Sequence, residues 1–487
     1  MPADSSSANE ARKLILGFER ACDPFRHLVR SASIWTALRF PAAEQLRISL
    51  GDLTQRSVPA VAAGRVSALG TMLRERRQLD ALIRGRRRSR IVALTTTNRL
   101  RDETLAGYRN AYYDYFVPEL PDALHVYLDS AGARSPSHAD SVNLSSRALW
   151  PELARGRFGR ADGKDEVEAL RRDLFGYLEN EGYGGVLHER TRTWERDVSV
   201  FAARFDSFVG VFKGVRPAVV MSDCYYDRTW AVAAARSLRI PVWELQHGVV
   251  YDGHMAYTFD PVSADAHRDT LPVPDLIMTF GPFFRGVLLE RGFWRPEEIC
   301  NLGFPRLSWN AERFQWAPPA PGDPLRVLVS SQWILTDRWT GLLRKLAAAL
   351  PAVRLVVKPH PGEAQDAWSD VPGVEVASPG GDFFETLRSC HVHCSVFSTT
   401  LLESVGLGVP TAVVGLPGSE VVRFLADSGA ARLAQDGDAL VGMLENVNAN
   451  PQALVRWHAD TVAARSRYWS DDSGGVMQRL LKESGNA

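Results

Sequence analysis

Four short stretches carry side chains suited to binding an anion and moving a proton. VVKPHPGE (356–363) places Lys358 and His360 on a prolyl turn after two valines. SVFSTTLLE (395–403) places Ser398, Thr399 and Thr400 ahead of a helix that contains Glu403. ELQHG (244–248) places His247 before Gly248, and LGFPR (302–306) ends on Arg306. A cation and a histidine at the end of a strand suit an anionic ligand. Hydroxyls at a helix start leave backbone N–H groups and the positive end of a dipole free, a common phosphate site. Each stretch also has a plain structural reading. Prolines end strands, Ser-Thr-Thr is an ordinary helix cap, and a histidine after a strand can cap it through a backbone hydrogen bond. Gly248 would let backbone or ligand come close. His254 and Tyr257, in VVYDGHMAY, suit a wall of the same pocket or a surface loop.

The elements around these residues alternate. From 216, RPAVVMSD reads as a strand, RTWAVAAARSLRI as a helix, PVWELQHG and DLIMTFG as strands, and 283–291 as a helix. APPAPGDP (317–324) is the clearest linker, and beyond it the pattern restarts. LRVLVSS, VRLVVKPHP, HVHCSVF and VPTAVVG are strands, separated by the helices GLLRKLAAALP, FFETLRSC and STTLLESVGLG. Such alternation indicates parallel sheets with helices on their faces. The strands then bring Ser330, Lys358, His360, Ser398 and Gly415 to one edge, where ligands of open α/β sheets bind. The expected class is α/β with two Rossmann-like domains facing across a cleft and an extra helical N-terminal region. Its divisions are a helical region over 1–90, a first domain over 91–310, a linker over 311–324, a second domain over 325–470, and a C-terminal helix over 471–487 that packs back on the first domain. RIVALTTT (90–97) is the first clear strand, and the elements from there to about 215 are not placed.

Composition narrows the classes. With 487 residues and 45% hydrophobic content the chain is globular and holds more than one domain. No apolar run approaches the roughly 18 residues a spanning helix needs. The polar start MPADSSSANEARKL lacks the apolar core of a secretory signal. Five cysteines without a C-x-x-C pair fit reduced thiols and a cytoplasmic protein. Cys390, His391, His393 and Cys394 have the residue types of a metal site, but strand alternation points some of them away from the others. Net charge is zero, although residues 1–90 hold 17 Arg/Lys against 8 Asp/Glu and end in RGRRRSR (84–90). That run is either a solvated helix face or a contact with anionic lipid at the inner membrane face. The acidic excess in the remainder argues against a nucleic-acid channel.

Together, Q-H-G (246–248), L-G-F-P-R, K-P-H-P (358–361) and S-T-T-L-L-E (398–403) resemble GT-B glycosyltransferases over about residues 216–430. The likeness is to capsule-polysaccharide transferases, bacterial sialyl- and Kdo-transferases and the glycerophosphotransferases of teichoic acid synthesis. It implies a nucleotide-sugar donor, a glycan or lipid-linked acceptor, and a place in surface polysaccharide or glycoconjugate biosynthesis. It also implies donor-phosphate contacts at His360, Ser398 and Thr399, a ribose contact at Glu403, and a base or donor contact at His247. Lys358, Ser330 and Arg306 join the expected donor side, and Gly248, His254 and Tyr257 the acceptor side. Asp223 and Asp227 are rival bases. Two departures matter. Ser395 stands where retaining enzymes often carry a second glutamate, which favours inversion. H-G-V replaces the H-G-T of the glycerophosphotransferases. No cofactor or metal is expected, because the one Asp-x-Asp pair, Asp436-Gly437-Asp438, lies in a late loop. A same-fold sugar-nucleotide epimerase and a non-catalytic binding module of this fold are the alternatives.

Overall fold

The structure, a computed structural model, describes residues 7–50, 162–360, 371–378 and 381–485 without a break. Between them it describes 75–81, 84, 91–95, 99–102, 107–110, 112, 115–116, 123–127, 141–144, 363 and 365–368. Of the basic run 84–90, all but Arg84 lies outside the described residues.

The chain begins with helices Ser7–Cys22 and Ile34–Leu50, joined through the short hairpin β1 (Leu28–Val29) and β2 (Ala32–Ser33). The first large sheet contains β3 (Ile91–Thr95), followed by the side hairpin β4 (Arg99–Asp102) and β5 (Gly107–Asn110). Its other strands are β6 (Ala123–Tyr127), β7 (Ser141–Asn143), β8 (Val219–Ser222), β9 (Val242–Leu245), β10 (Leu276–Thr279) and β11 (Ile299–Asn301). They lie in the order β11-β10-β9-β8-β3-β6-β7, with every pair parallel. The second sheet contains β12 (Arg326–Ser330), β13 (Arg354–Lys358), β14 (Val374–Val376), β15 (Val392–Ser395), β16 (Thr411–Val414) and β17 (Arg432–Ala434). Its order is β14-β13-β12-β15-β16-β17, again all parallel. Central strands such as VVMS, VWEL, VHCS and TAVV are buried along their whole length, as sheets covered on both faces require. The unplaced stretch before 216 contains the helices Lys164–Asn180 and Trp194–Val215.

A buried ion pair ties the N-terminal helices to the first domain. Arg39 and Glu19, both almost wholly buried, lie 2.7 Å apart. Glu19 also accepts from Trp35 Nε1 at 3.0 Å and from the Asp260 amide at 2.9 Å. Arg39 donates to the carbonyls of Met255 and Thr258 and lies 4.1 Å from the centre of the Phe259 ring. The pair therefore clamps both helices to the loop that follows His247.

The domains meet along an aromatic seam. After helix Pro451–Tyr468 the chain returns across the first domain, where the Ser470 amide donates to the Phe280 carbonyl at 2.9 Å. Trp469 stacks on Phe304, 5.9 Å between ring centres, and its Nε1 donates to the Leu402 carbonyl of the second domain. Phe283 of the first domain stacks on Phe424 of the second at 4.4 Å. A Cβ on Gly281 would collide with the Tyr468 carbonyl, and one on Gly303 with that of Ser470. Gly303 also has φ +92, where side chains are strained. The last helix, Ser473–Gly485, packs Met477 against the face of the first sheet made by Ile91, Ala93, Val219 and Met221.

Replacing Arg39 by Met should cost about 3–5 kcal/mol, because Glu19 is left buried and uncompensated. Urea unfolding of the two proteins at pH 7 measures the difference. A loss under 1 kcal/mol would mean that the N-terminal helices are held by apolar packing alone.

Candidate functional site

Two strand-end edges face each other, and Tyr112 marks the meeting place. Its ring lies 6.2 Å from that of His247 and stacks on Phe304 at 5.4 Å. Its phenol is raised above the ordinary tyrosine range by burial, with added repulsion from Glu403 and Asp223. Glu403 belongs to the second domain and Asp223 to the first, so this one hydroxyl senses both edges.

On the first edge the strand ends place a wall of aromatic and titratable groups. His247 follows β9 and is partly exposed. Its Nε2 lies 3.1 Å from Tyr226 Oη, and burial lowers the imidazole below its usual range. Gln246 is structural: it accepts from the Phe280 amide at 2.7 Å and donates to the Gly248 carbonyl at 2.8 Å, tying β9 to β10. Around Gly248 a Cβ would meet nothing, so no packing contact in the structure demands the glycine. His254 and Tyr257 stand behind His247, in the wall. Phe40 of the second N-terminal helix stacks on His254 at 5.4 Å, and Tyr257 donates to Glu244 at 2.7 Å. Burial pushes His254 down to about 3 and the Glu244 carboxyl up to about 8.

The rival bases separate. Asp223 is buried and paired with Arg228 at 3.0 Å, which occupies it. Asp227 is exposed on the turn Tyr225–Arg228.

On the second edge the hydroxyls are engaged by His393, Gln332, the backbone and each other. Ser330 Oγ contacts His393 Nε2 at 2.8 Å and Thr400 Oγ1 at 2.7 Å, and His393 Nδ1 contacts Ser404 Oγ at 2.8 Å. Ser395 donates to the Ser330 carbonyl at 2.8 Å and accepts from Gln332 at 2.6 Å. Ser398 caps helix Thr399–Gly406, accepting from the Thr400 amide at 3.2 Å. The turn after β13 is held by Glu363, which accepts from Ser331, from Thr336 Oγ1 at 2.7 Å and from the His360 amide at 2.7 Å. That leaves the His360 ring exposed at the end of its strand. Lys358 goes elsewhere: it is buried and donates to the Ser378 carbonyl, with Asp382 and Glu385 nearby. Arg306 is also buried, 2.9 Å from Asp382 and 4.6 Å from the centre of the Phe384 ring. Burial raises Glu403 to about 7, with Arg306 pulling it back down. Lys358, Arg306 and Glu403 thus form a charged cluster around Asp382 beside the seam.

No group of His, Cys, Asp and Glu able to hold a metal occurs among the described residues. The four metal-type residues at 390–394 have other work. His393 bonds two hydroxyls, His391 Nδ1 accepts from the Arg326 amide at 2.9 Å, and both cysteines are buried thiols. Asp436 caps helix Gly437–Ala449, and Asp438 pairs with Lys345 at 2.7 Å. An open groove of about 940 Å³ is lined in part by Arg432, Asp460 and Arg467. Arg432 begins β17, so this groove opens on the edge opposite the site.

Sequence reasoning assigned no role to Tyr112, Tyr226, Glu244, Arg228 or Glu363. Glu244 and Glu363 lie at the ends of quoted motifs, as the first residue of ELQHG and the last of VVKPHPGE, and Arg228 opens the quoted helix RTWAVAAARSLRI.

Two parallel sheets face each other through their carboxyl edges, and the chain crosses between them twice. This is a GT-B-type fold. Among solved structures, S. aureus MnaA with UDP is 10% identical, covering 81% of this chain and 96% of that one at a TM-score of 0.50. The UDP-GlcNAc 2-epimerase from Neisseria meningitidis bound to UDP-GlcNAc is 12% identical, covering 82% and 100% at 0.46. The wall teichoic acid polymerase TagF is 8% identical, covering 87% and 98% at 0.46. No family model matches the chain, and no curated protein matches it. Within the GT-B scaffold, the helices before residue 50 add Phe40 to the cleft wall. They also place Arg47 3.9 Å from Glu420 across the domain boundary.

His393 gives the fold a pH dependence. Burial lowers its imidazole from 6.5 to about 3, so it is neutral when folded and more basic when unfolded. Its contribution is complete above about pH 6.5 and is lost as pH falls toward 3. Stability should fall by about 1.4 kcal/mol from this group between pH 7.5 and 5.5. His393→Asn should lack that part of the slope in denaturant titrations; equal slopes would place the proton uptake elsewhere.

Proposed function

We propose that the chain is a glycosyltransferase that moves a sugar from a nucleotide-activated donor to a glycan or lipid-linked acceptor, with inversion and without a metal. The reading places it in surface polysaccharide or glycoconjugate biosynthesis. The observation that carries it is the opposition of His247 on one strand-end edge to His360 and the capped helix Thr399–Gly406 on the other.

Inverting transfer needs this opposition. The acceptor hydroxyl attacks the anomeric carbon from the side away from the leaving phosphate, so base and phosphate site must lie across a cleft. In this reading the backbone N–H groups at the helix start and the His360 ring hold the donor phosphates. Ser398, through its cap, fixes that helix start, and Thr399 is the reading's further phosphate contact. Lys358 and Arg306 act on the phosphate site at one remove, by holding Ser378 and Asp382. Glu403, in the same helix, is the reading's ribose contact. On the first edge Tyr226 Oη lies 3.1 Å from His247 Nε2, and in this reading the phenol donates, which marks Nε2 as the basic lone pair. The acceptor O–H takes over that hydrogen bond and passes its proton to Nε2. As the new C–O bond forms, the bond to the phosphate oxygen breaks, and its electrons leave with the nucleotide.

Asp436 and Asp438 serve a cap and an ion pair, which supports leaving charge neutralisation to the helix start and His360. The basic run at 84–90 would bring the protein to anionic lipid, where lipid-linked acceptors are found.

A second reading, a sugar-nucleotide epimerase, is favoured by one observation: the buried Glu244 carboxyl beside His247 offers the acid and histidine that proton shuttling needs. Release of free nucleotide only when acceptor is present separates transfer from epimerisation.

A thermal-shift screen of CMP, CDP, UDP, GDP and TDP should show one nucleotide raising Tm by mass action. His360→Ala should weaken that nucleotide about ten- to hundredfold, the worth of a charge-assisted hydrogen bond. Unchanged affinity would move the phosphate elsewhere. His247→Ala should cut turnover by about 10²–10⁴-fold with nucleotide affinity near wild type. Loss of affinity instead would make His247 a donor contact. Activity should survive EDTA; loss restored by magnesium or manganese overturns metal independence.

A further inference from the structure

We propose that Glu244 is the positioning residue of His247, setting which ring nitrogen carries the proton and how strongly the other accepts one. The inference rests on the reading of His247 as the base. Glu244 lies on β9, three residues before His247, and is wholly buried. Its Oε1 accepts from Tyr257 Oη at 2.7 Å and from the Tyr225 amide at 3.4 Å, and lies 3.9 Å from His247 Nδ1. Glu244 Oε2 and His247 Nδ1 are both buried without a hydrogen-bond partner.

Buried polar atoms without partners are costly, and proteins rarely leave two so close together. The other ring nitrogen is already engaged by Tyr226 at 3.1 Å. A phenol donating to Nε2 requires the ring proton on Nδ1, the nitrogen that faces Glu244. A small movement of either side chain turns the 3.9 Å separation into an Nδ1–H···carboxylate bond. The imidazolium formed when Nε2 takes the acceptor proton is then balanced from behind. This is the relation of base to orienting acid seen wherever a histidine must hold one tautomer.

The charged surroundings agree. Glu244 faces Tyr225, Tyr257, Asp223, Arg228 and Cys224, and His247 faces Tyr112, Tyr226, His254, Asp223, Asp227 and Arg228. Burial raises Glu244 to about 8 and lowers His247. At neutral pH the carboxyl therefore keeps its proton, beside a neutral imidazole that carries one ring proton. Raising the pH through about 8 removes it, and the carboxylate then holds Nδ1–H and makes Nε2 more basic.

The test uses the full chain labelled with ¹⁵N-histidine, with the His247 resonances identified by their absence in His247→Gln. The His247 nitrogen shifts should titrate in two steps, one below 6.5 and one near 8, with Nδ1 protonated above the second. Glu244→Gln preserves the shape and both accepted hydrogen bonds. It should unfold at an unchanged temperature and lose the upper step. An upper step that is absent from the wild type, or that survives in Glu244→Gln, overturns the proposal. In turnover against pH, Glu244→Gln should lose the rise near 8 and at least about tenfold of kcat, with the donor KM unchanged. If no acceptor supports transfer while the upper step is present and depends on Glu244, the transferase reading fails and the pairing stands.

Discussion

The contact on which the rest of the molecule depends is the return of the chain between Tyr468 and Ser470 across Gly281 and Gly303. Both glycines follow strands of the first sheet, and any side chain there would push the returning backbone away. Because Trp469 also reaches the Leu402 carbonyl, the same segment grips the helix Thr399–Gly406 that Ser398 caps. Its Trp469 ring packs at a tilt on Phe280 and stacks on Phe304, next to the Tyr112 ring that lies against His247. One stretch of three residues therefore sets how far the first strand-end edge lies from the second. Aromatic packing fits this role, since it is strong and directional, and the Trp469 hydrogen bond to Leu402 fixes its register.

Behind the first edge the polar groups are buried in an unusual balance. Arg39–Glu19 and Arg228–Asp223 are paired charges, whereas Glu244 has two hydrogen bonds and no cation in contact. Pairing removes most of the cost of burial; a lone carboxyl avoids it by taking up a proton. The clamp at Arg39 matters here because it anchors the loop 252–260, and that loop supplies Tyr257 to Glu244. The N-terminal helices are thus coupled to the state of a carboxyl they do not touch.

How much of this was legible in the sequence follows from the range of each interaction. Strands such as VVMS, VWEL and TAVV announced themselves because both of their faces are buried, which leaves an uninterrupted apolar run. The strand-end placement of His247, His360 and Ser398 followed from alternation alone. The role of Glu363 was hidden because its three partners come from β12, the next helix and its own turn. Lys358 read as a phosphate ligand since sequence shows a cation at a strand end and not the direction of its side chain; Ser378 and Asp382, twenty and more residues on, draw it inward. Tyr112 was beyond reach, because an aromatic residue in an irregular stretch has no periodicity to fix its neighbours, and Phe40 lies on a helix whose partner, His254, is more than 200 residues away. Glu403 and Arg306 carried recognisable motifs, but only the fold shows them sharing Asp382 at the seam.

The second edge offers a last inference about how an anion would be held. Ser330, Ser395, Thr400, Ser404 and His393 satisfy one another, and Ser398 is spent on the Thr400 amide. Few side-chain hydroxyls are left to turn toward a ligand. What the network does is immobilise the backbone at the helix start and the turn that Glu363 closes. A cradle made of fixed main-chain N–H groups needs no rearrangement when charge arrives, and the ordering cost is met during folding. The polar residues of the motif are then needed chiefly for rigidity, and in the proposed reading the His360 ring, exposed at the end of its strand, adds a side-chain contact to the phosphate.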